Sequence, residues 1–242
     1  MTEFTTWRSL VDGAEIIAIP DSVENQHLKD DWTETQWPDS VGDADLSVSN
    51  LSFDSQAFAG TGGVAASGDG DATGPAPTID FTGPWSVSIP FETTDEGNEI
   101  SAIRSDTTGD SIRFALNGLS YTSDLSNAGI AIRDDGDDFV IIDTDQSFAD
   151  GDSHHMIITC GSIAANGIDV YINDMQNPES VTTRDDGISI NGTMEDLTYF
   201  AFNSTPTRPI TANLSNVRWA AKVLDSDERQ QYQDDLPFDI TD

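Results

Sequence analysis

One cysteine, Cys160, stands in 242 residues. That excludes an internal disulfide framework and any cysteine-based zinc site. Basic residues are nearly as scarce. Ten Lys and Arg, with only Lys29 and Lys222 as lysines, face 44 Asp and Glu, for a formal net charge of −34. Such a surface repels phosphates, so nucleic acid and anionic membranes are excluded as partners. No apolar run approaches the ~20 residues that span a bilayer. The opening Met1-Thr2-Glu3-Phe4 has neither a basic nor an apolar segment of the secretory kind, so no signal peptide is expected. Helical periodicity is nearly missing too.

What is there is ordered. Apolar residues make up 36% of the chain and alternate along much of it, which separates it from disordered acidic polymers. The acids are scattered instead of blocked into a tail and read as a solvated surface. This balance resembles that of proteins from extreme halophiles, because carboxylates hold water and cations while molar salt cuts the Debye length to ~3 Å. Transfer into millimolar salt is therefore expected to lower the melting temperature. Undiminished stability there would refute the salt-adapted reading.

Along the chain, residues 1–20 read as an N-terminal arm or anchoring segment, and 21–242 as one domain. Residues 60–77 are almost purely Gly, Ala, Ser, Thr, Asp and Pro, and read as a long loop inside that domain. Then Trp85, Val87, Ile89 and Phe91 alternate with Ser86, Ser88, Pro90 and Glu92, a two-faced strand. Pro90 costs it a ladder hydrogen bond and points to an edge or a bulge. Further strands are expected at 100–104, 111–116, 129–133, 139–142, 155–160, 168–173, 197–202 and 210–219. Asp225, with Glu228 three positions on, forms a capping box for one helix running to about Leu236, stopped by Pro237. The fold class expected is all-β: an antiparallel β-sandwich with one short C-terminal helix.

Four stretches bear a likeness to a known family. Phe81-Thr82-Gly83-Pro84-Trp85 leads into the alternating strand. His154-His155-Met156-Ile157 opens another strand. Ile168-Asp169-Val170-Tyr171-Ile172-Asn173-Asp174 resembles a hairpin motif in which Asp174 replaces the usual glycine. Leu214-Ser215-Asn216-Val217-Arg218, through Glu228, resembles the family's closing strand and helix. In this order they resemble the laminin-G-like, concanavalin A-like jelly roll over roughly residues 31–238. The resemblance implies the jelly-roll sandwich and says little of function, since the fold hosts lectins, glycosidases, adhesion modules and viral surface proteins.

Candidate chemistry is thin. Glycosidases need two carboxylates facing one groove, and no alternating run supplies them; Glu92, Glu96 and Glu99 read as a solvated loop. His154 and His155 would point to opposite faces of one strand, so they cannot share a metal from there. Cys160 reads as a small hydrophobe. Calcium is the one cofactor carried forward, with Asp143 and Asp145 as nominal ligands: it needs six to eight oxygens, and the resemblance to laminin-G-like domains, which often hold one at the rim, implies it. Sugar stacking would use Trp32, Trp37, Tyr121 or Tyr199. Sequons fall at Asn50, Asn191, Asn203 and Asn213.

The primary functional expectation is a non-enzymatic structural or interaction protein, a virion-surface component (capsid decoration, turret, spike or tail fibre) of a virus infecting a halophile. Its partners would be other virion or cell-surface proteins and host glycans, in a homo-oligomer such as a trimer or other ring. The alternative is a carbohydrate-binding, lectin-like module. A glycoside hydrolase is the third reading, and the cytoplasm of a halophile the alternative location.

Overall fold

The computed structural model describes residues 4–6, 18–20, 23–95, 99–116, 127–190, 192–201, 210–236 and 240. A short pair, β1 (Phe4–Thr6) with β2 (Ala18–Pro20), lies in the segment read as an arm. The body consists of β3 (Val23–His27), β4 (Gln36–Trp37), β5 (Leu46–Asp54), β6 (Gly63–Pro75), β7 (Trp85–Thr93), β8 (Glu99–Arg104), β9 (Ser111–Ala115), β10 (Gly129–Arg133) and β11 (Phe139–Thr144). It continues with β12 (Ser153–Cys160), β13 (Ile168–Ile172), β14 (Val181–Asp185), β15 (Asp196–Tyr199), β16 (Thr211–Leu214), β17 (Val217–Ala220) and one helix, Ser226–Asp234. The pairings are antiparallel and link these fifteen strands into one hydrogen-bonded network.

That network folds into two layers. One runs β13-β12-β7-β17-β3, the other β14-β11-β10-β9-β8-β15, and the second continues through β6 to β5 and β4. The layers meet face to face: Trp85 and Trp219 of the first stand edge-on to Phe114 of the second, with ring centroids 6.3 and 5.6 Å apart. Phe81, Phe91, Ile103, Ile130 and Ile142 complete this core. The sequence alternation of β7 holds, since Trp85, Val87, Ile89 and Phe91 all join the core.

The outward side chains of β7 have a second task. Ser86 Oγ donates to Lys222 O and accepts from Leu224 N, tying down the approach to the C-terminal helix. The helix begins as expected. Asp225 accepts from the backbone N–H groups of Asp227 and Glu228, and Glu228 accepts from the Asp225 N–H. Such caps contribute about 1 kcal/mol. Arg229 lies 3.8 Å from the Tyr171 ring centroid and donates to the carbonyls of Met175 and Leu224. The helix therefore covers the outer face of the first layer, its Tyr232 packing in one cluster with Val23, Ile157, Tyr171 and Ala220.

Three expectations are corrected. Residues 60–77 are not a loop: most of them form β6, thirteen residues paired with β5, β15 and β16. Small residues there serve close approach. A Cβ on Gly70 would fall 2.6 Å from Asn50 O, and one on Gly74 2.4 Å from Asp45 O. Pro90 marks no edge, for β7 has neighbours on both sides. Its carbonyl accepts from Ser215 N, between the stretches that pair with β16 and β17, so its missing N–H points at the break between those strands. That same break divides the expected 210–219 strand in two.

Candidate functional site

Where the two layers join, β5, β6, β16, β7 and β12 run side by side. Their register places Ser52, Ala65, Asn213, Glu92 and Ser153 in one outward row across five strands. Glu92 is its centre. Oε2 accepts from Ser153 Oγ at 3.1 Å and from Phe58 N at 3.0 Å, and Oε1 accepts from Asn213 Nδ2 at 3.4 Å. The carboxylate is thus oriented by three donors from three elements. Ala65 leaves space beside it, and the row opens into a cleft of about 250 Å³ lined also by Asp54, Thr93, Thr94 and Thr211. No Lys or Arg lines it.

The donor from Phe58 comes with backbone strain. Phe58 (φ 53°, ψ 53°) and Ala59 (φ 56°, ψ 29°) are consecutive non-glycine residues in the left-handed region, which costs of order 1 kcal/mol or more each. This turn is anchored because the Phe58 side chain is fully buried. Strain of this kind persists where surrounding structure over-determines it, and here the Phe58 N–H is aimed at Glu92.

The aromatic candidates do not line the cleft. Trp37 is wholly inside, its Nε1 donating to Leu28 O. Tyr199 is also wholly buried. His27 Nε2 faces the Ala44 carbonyl, so that nitrogen carries the proton and Nδ1 accepts from the Tyr199 hydroxyl, which in turn accepts from Trp219 Nε1. Burial pushes the Tyr199 hydroxyl's pKa up. Neither ring offers a face to a sugar, which corrects the reading of both: hydrogen bonding satisfied inside the core, not outward display, explains their polar atoms. Trp32 is half-buried against the core, and Tyr121 lies outside the described residues, as do Glu96, Asn191 and Asn203.

Asp143 is nearly buried on β11, accepting from Asn127 N, whereas Asp145 is exposed beyond the strand. Among the described residues no three His, Cys, Asp or Glu gather as a metal would need. Glu99, read as part of a solvated loop, is instead fully buried on β8, its carboxylate 3.8 Å from the Arg113 guanidinium. His154 and His155 do face opposite ways. His154 packs between Phe91 and Phe148, and His155 Nε2 lies 2.7 Å from Ser88 Oγ on the outer face. Burial pushes the Cys160 thiol up to about 12, so it is inert.

No family model and no curated protein matches the sequence. Solved structures do. Domain 4 of a GH43 extracellular arabinanase from Geobacillus stearothermophilus, in complex with arabinotriose, aligns with a TM-score of 0.65 at 13% identity, over 86% of this chain and 96% of that one. The likeness is one of fold. The binding domain of botulinum neurotoxin serotype G aligns at 0.59 and 13%, over 87% of this chain and 50% of that chain. A Trypanosoma rangeli sialidase aligns at 0.57 and 13%, over 94% of this chain. The chain spans about a third of the sialidase's length, 35%. These alignments bear out the β-sandwich expected from the sequence. Among the described residues, no helix is long and apolar enough to cross a membrane.

Proposed function

We propose that this protein is a non-enzymatic, carbohydrate-binding β-sandwich module, and that the Glu92 cleft takes a neutral saccharide. The observation that carries this is the oriented carboxylate. Glu92 sits on a five-strand platform with its own donors fixed, beside an amide (Asn213) and threonine hydroxyls, in an open cleft. Few, well-placed polar groups on a rigid floor suit a ligand that carries many hydroxyls and no net charge. Asp54 and Glu92, with no cation in the lining and −34 on the whole chain, oppose an anionic sugar such as sialic acid. Display on a virion or cell surface is a setting in which such a module would work; no residue of the cleft bears on it.

Calorimetric titration in molar salt tests the reading. Arabinotriose and other neutral oligosaccharides are expected to bind, sialyllactose to bind more weakly, and Glu92→Gln to weaken the neutral sugars roughly 10–100-fold, as expected when a charged hydrogen-bonding partner is lost. Preference for the sialylated sugar, or indifference to Glu92→Gln, would overturn it.

A further inference from the structure

A larger cavity, about 500 Å³, opens at the other end of β6, between residues 76–82 and 192–194. Backbone hydrogen bonds hold its walls: Ala76 N to Glu195 O, Phe81 N to Gly192 O, and Gly83 N to Asp80 O. Asp80 Oδ1 accepts from both Thr82 Oγ1 (2.7 Å) and Thr82 N (3.0 Å). These bonds hold the Asp80 carboxyl below the usual carboxylate range, so it is charged as well as oriented. Space for it depends on Gly192. A Cβ there would lie 2.2 Å from Asp80 Oδ1 and 3.2 Å from its carboxyl carbon, although the backbone at 192 has no positive φ that would itself demand glycine. Beside this carboxylate, Pro77, Ile79 and Met194 give an apolar wall, and no Lys or Arg contributes.

An apolar wall next to a fixed acceptor matches a molecule with a C–H face and hydroxyl edges. Calcium is a poor match, since it takes six to eight oxygens and no three acidic groups gather among the described residues. An anion would meet Asp80. We propose that this cavity is a second neutral-saccharide site, which rests on the glycan reading of the Glu92 cleft. Ala66 and Ala76 line the two cavities, and ten residues of strand separate them by roughly 30 Å. One short oligosaccharide cannot fill both, so the module is two-ended and bridges separate glycan chains, with the gain in avidity that linkage brings.

The test counts sites on the full chain, in molar salt, with a panel of neutral pentose and hexose trisaccharides that includes arabinotriose. Two equivalents are expected for the wild type. Asp80→Asn and Gly192→Ala should each leave one, and Glu92→Gln should leave the other, with each variant's melting temperature within a few degrees of the wild type. One equivalent, lost in Glu92→Gln and unmoved in both Asp80→Asn and Gly192→Ala, overturns the second site and leaves the cleft standing. One equivalent lost only in Asp80→Asn and Gly192→Ala overturns the cleft and keeps this site. No saturable binding by any panel sugar overturns both.

Discussion

Replacing Trp219 by alanine is expected to lower the unfolding free energy by ~3–5 kcal/mol, the range for emptying a large aromatic from a packed core. Trp219 has no exposed surface and stands among Phe81, Trp85 and Phe114, at centroid separations of 6.1, 6.3 and 5.6 Å. It also supplies the hydrogen bond that Tyr199 accepts. The substitution therefore opens a cavity between the layers and removes the first donor of the Trp219–Tyr199–His27 chain. Urea unfolding at constant high salt measures the loss. Trp32→Ala, at a half-buried ring, serves as comparison and should cost clearly less. A Trp219→Ala loss below about 1 kcal/mol would show that the layers do not close on this ring.

Acid should expose the second large effect, at His155. The imidazole is completely buried beneath the C-terminal helix, with Ser88 Oγ on Nε2. Burial, and behind it the charge of Arg218, push its pKa down to about 3 from an ordinary 6.5. Between those values the unfolded chain takes up a proton that the folded chain refuses, so stability falls as pH falls. Above about 6.5 the group contributes nothing, and below about 3 its effect levels off. The slope is about 1.4 kcal/mol per pH unit, approaching ~4–5 kcal/mol across the window. Acid also neutralises the 44 carboxylates, which acts on every variant alike. The informative quantity is hence the difference between wild type and His155→Asn. That difference should drift in favour of the variant as pH drops from 6.5 towards 3. A constant offset across that range would mean that His155 titrates normally.

Much of the fold was legible because its signals are local. The two-faced β7 shows in the alternation of Trp85 through Glu92, and the helix start in the spacing of Asp225 and Glu228. The opposite aims of His154 and His155 follow from strand geometry alone. What stayed hidden depends on pairing at a distance. Nothing within Gly63–Pro75 announces a strand, because its glycines answer to the backbone of Asn50 on the neighbouring strand and of Asp45 just before it. Trp37 and Tyr199 look like binding aromatics until their polar atoms find Leu28 and His27. The Glu92 site was missed for the same reason. Ser52, Ala65, Glu92, Ser153 and Asn213 are scattered over 162 positions, and only the register of five strands lines them up. Glu92 on the outward face of a well-marked strand was the one available hint.

The closeness of β6 to its neighbours bears on how this chain can be handled. A stretch rich in Gly, Ala and Asp is where one would ordinarily insert an epitope tag, cut the chain into fragments or open it for circular permutation. Here that stretch is the seam through which both layers are stitched. The permissive ground is elsewhere, at the Asp134-Asp135-Gly136-Asp137 turn, whose residues are exposed or half-exposed and close a simple hairpin between β10 and β11.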